Sequence, residues 1–254
     1  MRKIATIISL FFSLASFGQG VVVNPYILGA SVPSNGLASA NIAYYKLDEA
    51  SGTIVDSKNA FNSTTVTGVT YNVTGKLNTA VTVANSAGNG INCGNHATLN
   101  ITTGSISIWF QYVTGSFLVS TINSSTDRNG FAIVKFGGSQ FGLQLANGTG
   151  IGQANTTGTF TANTWYHLVA TWDGSQINFY INGVLDSGSP VAQTVAPVYA
   201  TNPLILGSSW NGTSMIFPIG GTLDEVGIFN SVLTQTQVTT LYNSGTPLPF
   251  TSFN

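Results

Sequence analysis

The stretch WYHLVATWDGSQINFYINGVLDSG, Trp165 to Gly188, decides the fold. Its first half alternates two apolar sets, Trp165, His167, Val169 and Thr171 against Tyr166, Leu168, Ala170 and Trp172. Side chains on a strand point alternately to opposite faces, so this segment reads as a strand covered on both sides. Asp173-Gly174 follows, a dipeptide suited to a type I′ turn with φ > 0 at both central residues. Ile177, Phe179 and Ile181 then alternate with Asn178 and Tyr180, and Asn182-Gly183 offers a second turn of the same chemistry. The reading is an antiparallel hairpin.

Outward from this hairpin the same grammar repeats. In SISIWFQY, Ser105 to Tyr112, the residues Ile106, Ile108 and Phe110 oppose Ser105, Ser107 and Trp109. From Ile42 onward short β-rich segments alternate with Gly, Asn and Ser turns, the signature of a sandwich. The spacing predicts an all-β, two-sheet antiparallel jelly-roll sandwich with one short C-terminal helix. That helix is announced by a capping box, Thr234 with Gln237, and by Leu233 stapling onto Val238. Val238, Leu241 and Tyr242 form its apolar stripe, and Gly245 stops it before Pro247. No second helix and no internal repeat is expected.

Arg2 and Lys3 precede an apolar run, Ile4 to Phe17, and Ser16-Phe17-Gly18 supplies a cleavage pattern before Gln19. Residues 1–18 therefore read as a secretory signal peptide. The alternative is a retained apolar arm. The run is too short and too rich in serine for a membrane span. Residues 19–41 hold Pro25 and Pro33 and read as an extended lead-in or tether, with the globular domain expected over 42–254.

Of the 254 residues 43% are hydrophobic, enough for one sizeable core, but only 6% are charged, against about 25% in an average soluble domain. The polar surface must be built from Thr, Ser, Asn and Gly. Formal net charge is −1. Without residues 1–18, which contain Arg2 and Lys3, five basic and eight acidic residues remain. Nucleic-acid binding, which needs a basic stripe, is excluded as an expectation. Cys93 is the only cysteine, so an internal disulfide is impossible; it reads as a small buried hydrophobe.

Three stretches together resemble the laminin-G-like, concanavalin A-like lectin and glucanase family. They are IAYYKLDEASGTIVDSKN (Ile42 to Asn59), the hairpin from Trp165 to Gly188, and PLILGSSWNG with GGTLDEVGIFNSVLTQTQVTTLYNSG (Pro203 to Gly245). The resemblance covers roughly Asn41 to Thr246. It implies a jelly roll of two antiparallel sheets, one concave, often with bound calcium, in proteins that bind glycans or other proteins. Residues 85–95 depart from the family's usual aromatic-and-aspartate strand.

Some relatives of that kind hydrolyse glycans, which takes two carboxyls flanking the scissile bond. The only glutamates, Glu49 and Glu225, each follow an aspartate, Asp48 and Asp224. Adjacent strand residues point to opposite faces, so neither pair forms a couple by itself. Asp173 and Asp186 sit in turns and read as caps. His96 and His167 are the only histidines, with no nucleophile elbow and no zinc set; His167 reads as structural. No catalytic residue is assigned. Calcium is the metal these oxygens suit, one structural ion held by Asp56, Asn59 and, as the resemblance implies, Asp224. The alternative at Asp56 is an Asx-turn without metal. For a sugar, Trp210 and Asn211 in one loop and Arg128 and Asn129 in another are the candidate contacts. Trp109, Trp165 and Trp172 are expected in the core.

The expected function is a non-catalytic binding or adhesion module for carbohydrate or a cell-surface partner, secreted or displayed at the surface. A virion structural protein, a head fibre or decoration anchored by its N-terminal arm, is the alternative, and a glycan hydrolase comes third. The low-charge surface would tolerate a homo-oligomer or larger assembly.

Overall fold

The computed structural model describes residues 34–125 and 128–254. The leader and most of the lead-in lie outside the described residues. With strands numbered in chain order, the larger sheet has nine. Its main path runs β13 (Val184–Leu185), β12 (Gln176–Ile181), β11 (Tyr166–Trp172), β6 (Gly104–Tyr112), β18 (Gly221–Phe229), β4 (Thr79–Val83) and β3 (Val69–Thr74). β1 (Asn41–Tyr45) also pairs with β18, and β14 (Val191–Ala192) with β12. The second sheet runs β10 (Ile151–Asn155), β9 (Gln140–Asn147), β8 (Asn129–Phe136), β7 (Phe117–Ser120), β15 (Ile205–Leu206), β5 (Gly90–Asn92) and β2 (Thr65–Thr67). All pairings in both sheets are antiparallel, and a ribbon of β16 (Ser209–Trp210) and β17 (Met215–Ile216) stands apart. This is the expected two-sheet jelly-roll sandwich.

The core lies between the sheets, where Ile106, Ile108 and Phe110 of β6 and Leu168, Ala170 and Trp172 of β11 meet Phe131, Phe141 and Leu143. Burying each such aromatic or aliphatic side chain contributes about 1.5–3 kcal/mol. β11 is covered on both faces, as its sequence demanded. Val169, on its other face, packs with Leu233, Val238 and Leu241 beneath the helix α2 (Gln235–Tyr242). That helix has the full capping box: Thr234 accepts from the Gln237 N–H, and the Gln237 side chain accepts from the Thr234 N–H.

Three local readings change. The turn between β11 and β12 is centred on Gly174-Ser175, because Trp172 pairs with Ile177. Only Gly174 has positive φ, 90°, while Asp173 Oδ1 accepts the N–H groups of Ser175 and Gln176 at 2.8 Å. Asn182-Gly183 is the turn with two positive φ values, 51° and 79°. Second, a one-turn helix, α1 (Leu37–Ala40), precedes β1 where an extended chain was expected, and the compact unit begins at Asn35. Its cause is tertiary, since Leu37 is fully buried against Val238 and Leu241. Third, Trp165 precedes β11 and is half-buried, whereas Trp109 and Trp172 are buried.

Candidate functional site

The outer face of the second sheet sets a row of amides beside an apolar floor. Along β9 the residues Phe141, Leu143 and Leu145 enter the core, which turns Gln140, Gln144 and Ala146 outward. Along β10 Ala154 enters the core and Ile151, Gln153 and Asn155 turn outward. The outward amides join in a row: Gln144 Nε2 donates to Gln153 Oε1 and Gln153 Nε2 to Asn155 Oδ1, both at 3.2 Å. Beside this row lies an apolar floor of Phe117, Ile122, Ala132, Val134 and Ala146.

Where floor and row meet, a cleft of about 180 Å³ opens. Phe117 and Phe217 form one wall, their rings stacked with centroids 6.2 Å apart. Ser124, Gln144 and Arg128 supply hydroxyl, amide and guanidinium, and Ile151 closes the lining. Phe217 is 56% exposed and holds a left-handed backbone, φ 54°. A bulky residue in that region is strained, and such outliers gather at ligand clamps. A planar apolar ring beside amides and hydroxyls is the surface a sugar ring stacks on while its hydroxyls find planar partners.

The residues expected from sequence distribute unevenly around this cleft. Arg128 lines it. Trp210 and Asn211 act from behind. The Trp210 carbonyl accepts the Ser124 N–H at 2.8 Å, which positions the loop carrying Ser124. Asn211 Oδ1 accepts from the N–H groups of Thr213 and Ser214 at 2.9 and 2.8 Å and so shapes the β16–β17 turn. Asn129 starts β8 on the same side of the strand as the core-facing Phe131, away from the cleft. Sequence reasoning missed Phe117, Phe217, Gln144 and Gln153. The alternation of Gln144 with Leu143 and Leu145 was visible in the sequence, but nothing there indicated which face stays uncovered.

The carboxylates form two separate systems. Asp56 Oδ1 accepts the N–H groups of Tyr44 and Lys58 at 2.8 and 2.9 Å, and Oδ2 those of Asn59 and Phe61 at 3.0 and 3.2 Å. Four N–H donors aimed at one carboxylate make an anion cradle, which fits the Asx-turn reading. Asn59 Nδ2 donates to the Ile42 carbonyl at 2.6 Å. Among the described residues Asp224 shares no hydrogen-bond partner with either. Its Oδ2 accepts the N–H groups of Lys76 and Leu77 at 2.7 and 3.0 Å. Asp56 and Asn59 thus belong to one hydrogen-bonded system and Asp224 to another. Among the described residues no three His, Cys, Asp or Glu side chains group as a metal would need.

The pair Asp224-Glu225 departs from the strand alternation assumed for it. β1 and β4 lie end to end along one edge of β18, leaving both acids between them, and Glu225 takes φ 49° at a register shift. Both carboxyls come within electrostatic reach of Asp48 and of one another. Burial pushes Asp224 up to about 7, partly opposed by its two N–H donors, and Glu225 up to about 8, partly opposed by the Tyr44 hydroxyl that donates to it. The two residues are 0% and 2% exposed, and Glu225 reaches the lining of a cleft of about 200 Å³ beside Lys46 and Asp48. His167 is equally enclosed. Its Nε2 meets Ser107 Oγ at 2.8 Å and its ring stacks on Trp109, so desolvation pushes it down to about 3. Cys93 is buried and its thiol is pushed up to about 12, again by desolvation.

Comparison with known proteins agrees with this architecture. A family model described as the concanavalin A-like lectin/glucanases superfamily matches residues 85–239, more than half of the chain. No curated protein sequence matches it. Among solved structures, domain 4 of AbnA, a GH43 extracellular arabinanase from Geobacillus stearothermophilus solved with arabinotriose, is 21% identical. The match covers 79% of this chain and 97% of that one, with a TM-score of 0.60. The CBM40 of the Ruminococcus gnavus IT-sialidase, bound to α2,3 sialyllactose, is 14% identical over 64% of this chain and 96% of its own, TM-score 0.52. A botulinum neurotoxin type C structure, from work on its interaction with two ganglioside molecules, is 16% identical. That match covers 83% of this chain and 52% of that one, with a TM-score of 0.61. At these identities the likeness to solved structures is one of fold.

Proposed function

The chain belongs to the concanavalin A-like lectin/glucanase superfamily, and from that premise we propose that it is a non-catalytic carbohydrate-binding module. The observation that carries the reading is the cleft on the outer face of the second sheet, where stacked Phe117 and Phe217 stand beside Gln144, Ser124 and Arg128. Sugar stacks on the exposed Phe217 ring, and the Gln144–Gln153–Asn155 amides serve its hydroxyls. The Asx-ordered β16–β17 turn behind Ser124 keeps the cleft formed before ligand arrives, which lowers the ordering cost of binding. Two neighbours of similar fold were solved with arabinotriose and with sialyllactose, which supports the class of ligand.

Burial of the adjacent pair Asp224 and Glu225, 0% and 2% exposed, supports binding without hydrolysis at that pair. Among the described residues no helix is long and apolar enough to cross a membrane. The apolar leader expected over residues 1–18 supports export, with the module displayed or secreted.

The test is an immobilised-glycan array probed with the wild-type chain and with Phe217→Gly. Glycine adopts φ 54° without strain, so the variant removes the ring and keeps the backbone. Its stability is expected to stay within about 1 kcal/mol of wild type, strain relief offsetting the lost stacking. Binding should fall at least tenfold, an ordinary cost for removing a stacking platform (about 1–3 kcal/mol). Retention of no glycan by the wild-type chain, or equal retention by both proteins, would overturn the reading.

A further inference from the structure

Arg128 lines the cleft of the glycan reading, and its charge has no task in that reading. The described chain holds six other Lys or His side chains, among them His96, whose Nε2 lies 2.8 Å from the Cys93 carbonyl, and each is engaged or enclosed. Lys58 Nζ donates to the Ala38 carbonyl at 2.7 Å. Lys76 and Lys135 lie over the rings of Trp109 and Tyr112, 5.2 and 5.6 Å from their centroids. Lys46 lines a cleft with Asp48 and Glu225, and His167 is buried and neutral. The Arg128 guanidinium, by contrast, has no hydrogen-bond or ion-pair partner among the described residues.

Its backbone is nevertheless fixed. Arg128 takes a left-handed φ of 41°, held on both sides: its N–H donates to the Asn123 carbonyl at 3.2 Å and its carbonyl accepts the Gly148 N–H at 3.4 Å. The second of these contacts ties it to the β9–β10 turn. There Asn147 Oδ1 gathers the N–H groups of Thr149 and Gly150 at 3.2 and 2.8 Å. That turn forms another cleft, of about 190 Å³, lined by Gly148, Thr149 and Gly150. Arg128 and Ile151 line both clefts, so the guanidinium stands between the aromatic cleft and the turn cleft. Among the described residues no Asp or Glu lines either one.

We propose that this groove selects saccharides bearing a carboxylate, with the Arg128 guanidinium taking the acid group in a forked hydrogen bond while a neighbouring sugar stacks on Phe217. The inference rests on the glycan reading and narrows it. Guanidinium matches carboxylate geometry with two parallel N–H donors, and charge-assisted bonds of this kind are about twice as strong as neutral ones. In a chain this poor in charge, one arginine between two clefts whose other described lining residues are uncharged gives selection by charge without general attraction for polyanions.

Two matched pairs test it by titration calorimetry: trigalacturonate against galactotriose, and 3′-sialyllactose against lactose. Each is measured with wild type, Arg128→Gln and Phe217→Gly. The acid member of at least one pair is expected to bind at least about tenfold more tightly than its neutral partner. Arg128→Gln should abolish that preference by costing the acid member at least about tenfold more than its neutral partner, and added salt should weaken only the acid. Which pair responds distinguishes a uronide from a sialoside. Equal affinity for acid and neutral members, or an equal loss for both in Arg128→Gln, overturns the acidic selection and leaves the glycan reading standing. Binding of neither member of either pair, with no glycan retained on the array, overturns both.

Discussion

His167 is enclosed by Ser107, Trp109 and Tyr242 and stays neutral because a charged imidazole would lose its hydration there. That burial has a pH signature with a definite sign. An unfolded histidine takes up its proton near pH 6.5, whereas the folded one resists down to about 3. Below pH 6.5 the unfolded state binds more protons, so this residue removes stability as pH falls, by about 1.4 kcal/mol per pH unit within that window. Asp224 and Glu225 act with the opposite sign, because their raised values favour the fold when they are protonated and withdraw stability as pH rises toward 8. Denaturant unfolding of wild type and His167→Gln from pH 7 to 4 isolates the histidine: the stability difference should shift steadily in favour of the variant as pH falls. A pH-independent difference would mean that His167 is solvated or already charged. The same residues mark what sequence could and could not convey. Burial of His167 followed from its place in an apolar alternation. The shared environment of Asp224 and Glu225 did not, because period-two alternation fails where one residue takes φ 49°.

At the scale of the element, the legible features were those whose chemistry is local. The capping box at Thr234 needs only residues three apart, and the structure contains both of its hydrogen bonds. Thr234→Ala should cost about 1 kcal/mol, read as a lower urea midpoint with an unchanged slope. Thr234→Ser should recover most of it. A loss confined to the slope would instead indicate a change in the unfolded state. The hairpin was equally legible in outline, yet its turn moved by one residue, because Asp173 spends its carboxylate on Ser175 and Gln176 in place of a left-handed backbone. The helix α1 was not legible, since four residues carry no periodicity and Leu37 is helical on account of what it packs against. The cleft was the least legible element of all. The sheet order β9–β8–β7 gathers Phe117, Arg128 and Gln144, and Phe217, a hundred residues beyond Phe117, joins them through its carbonyl, which accepts the Phe117 N–H at 3.3 Å.

For the molecule as a whole, closure of the two ends of the described unit is the feature with the clearest energetic consequence. Asn35 N–H donates to Asn254 Oδ1 at 2.8 Å, Asn254 N–H returns to Asn35 Oδ1 at 3.2 Å, and Asn35 Nδ2 donates to the Ser252 carbonyl at 3.3 Å. The segment between these contacts and the helix lays Phe250 and Phe253 on Tyr44, with ring centroids 4.8 and 5.1 Å away. Tyr44 in turn donates to Glu225 in the break between β1 and β4. The C-terminal residues thus cover the one place where β18 lacks a strand partner on that side. The binding cleft is built from the other sheet, so this closure should affect stability and leave ligand recognition alone. A chain ending at Pro249 loses both aromatic contacts and the Asn35 clasp. It should be about 2–4 kcal/mol less stable, with a lower melting temperature and a newly solvent-accessible Tyr44 in ultraviolet difference spectra. Glycan affinity measured well below that melting point should be unchanged. An unaltered melting temperature would mean that Tyr44 and Glu225 are protected by β18 itself, and a parallel loss of affinity would mean that the two sheets are coupled through the core.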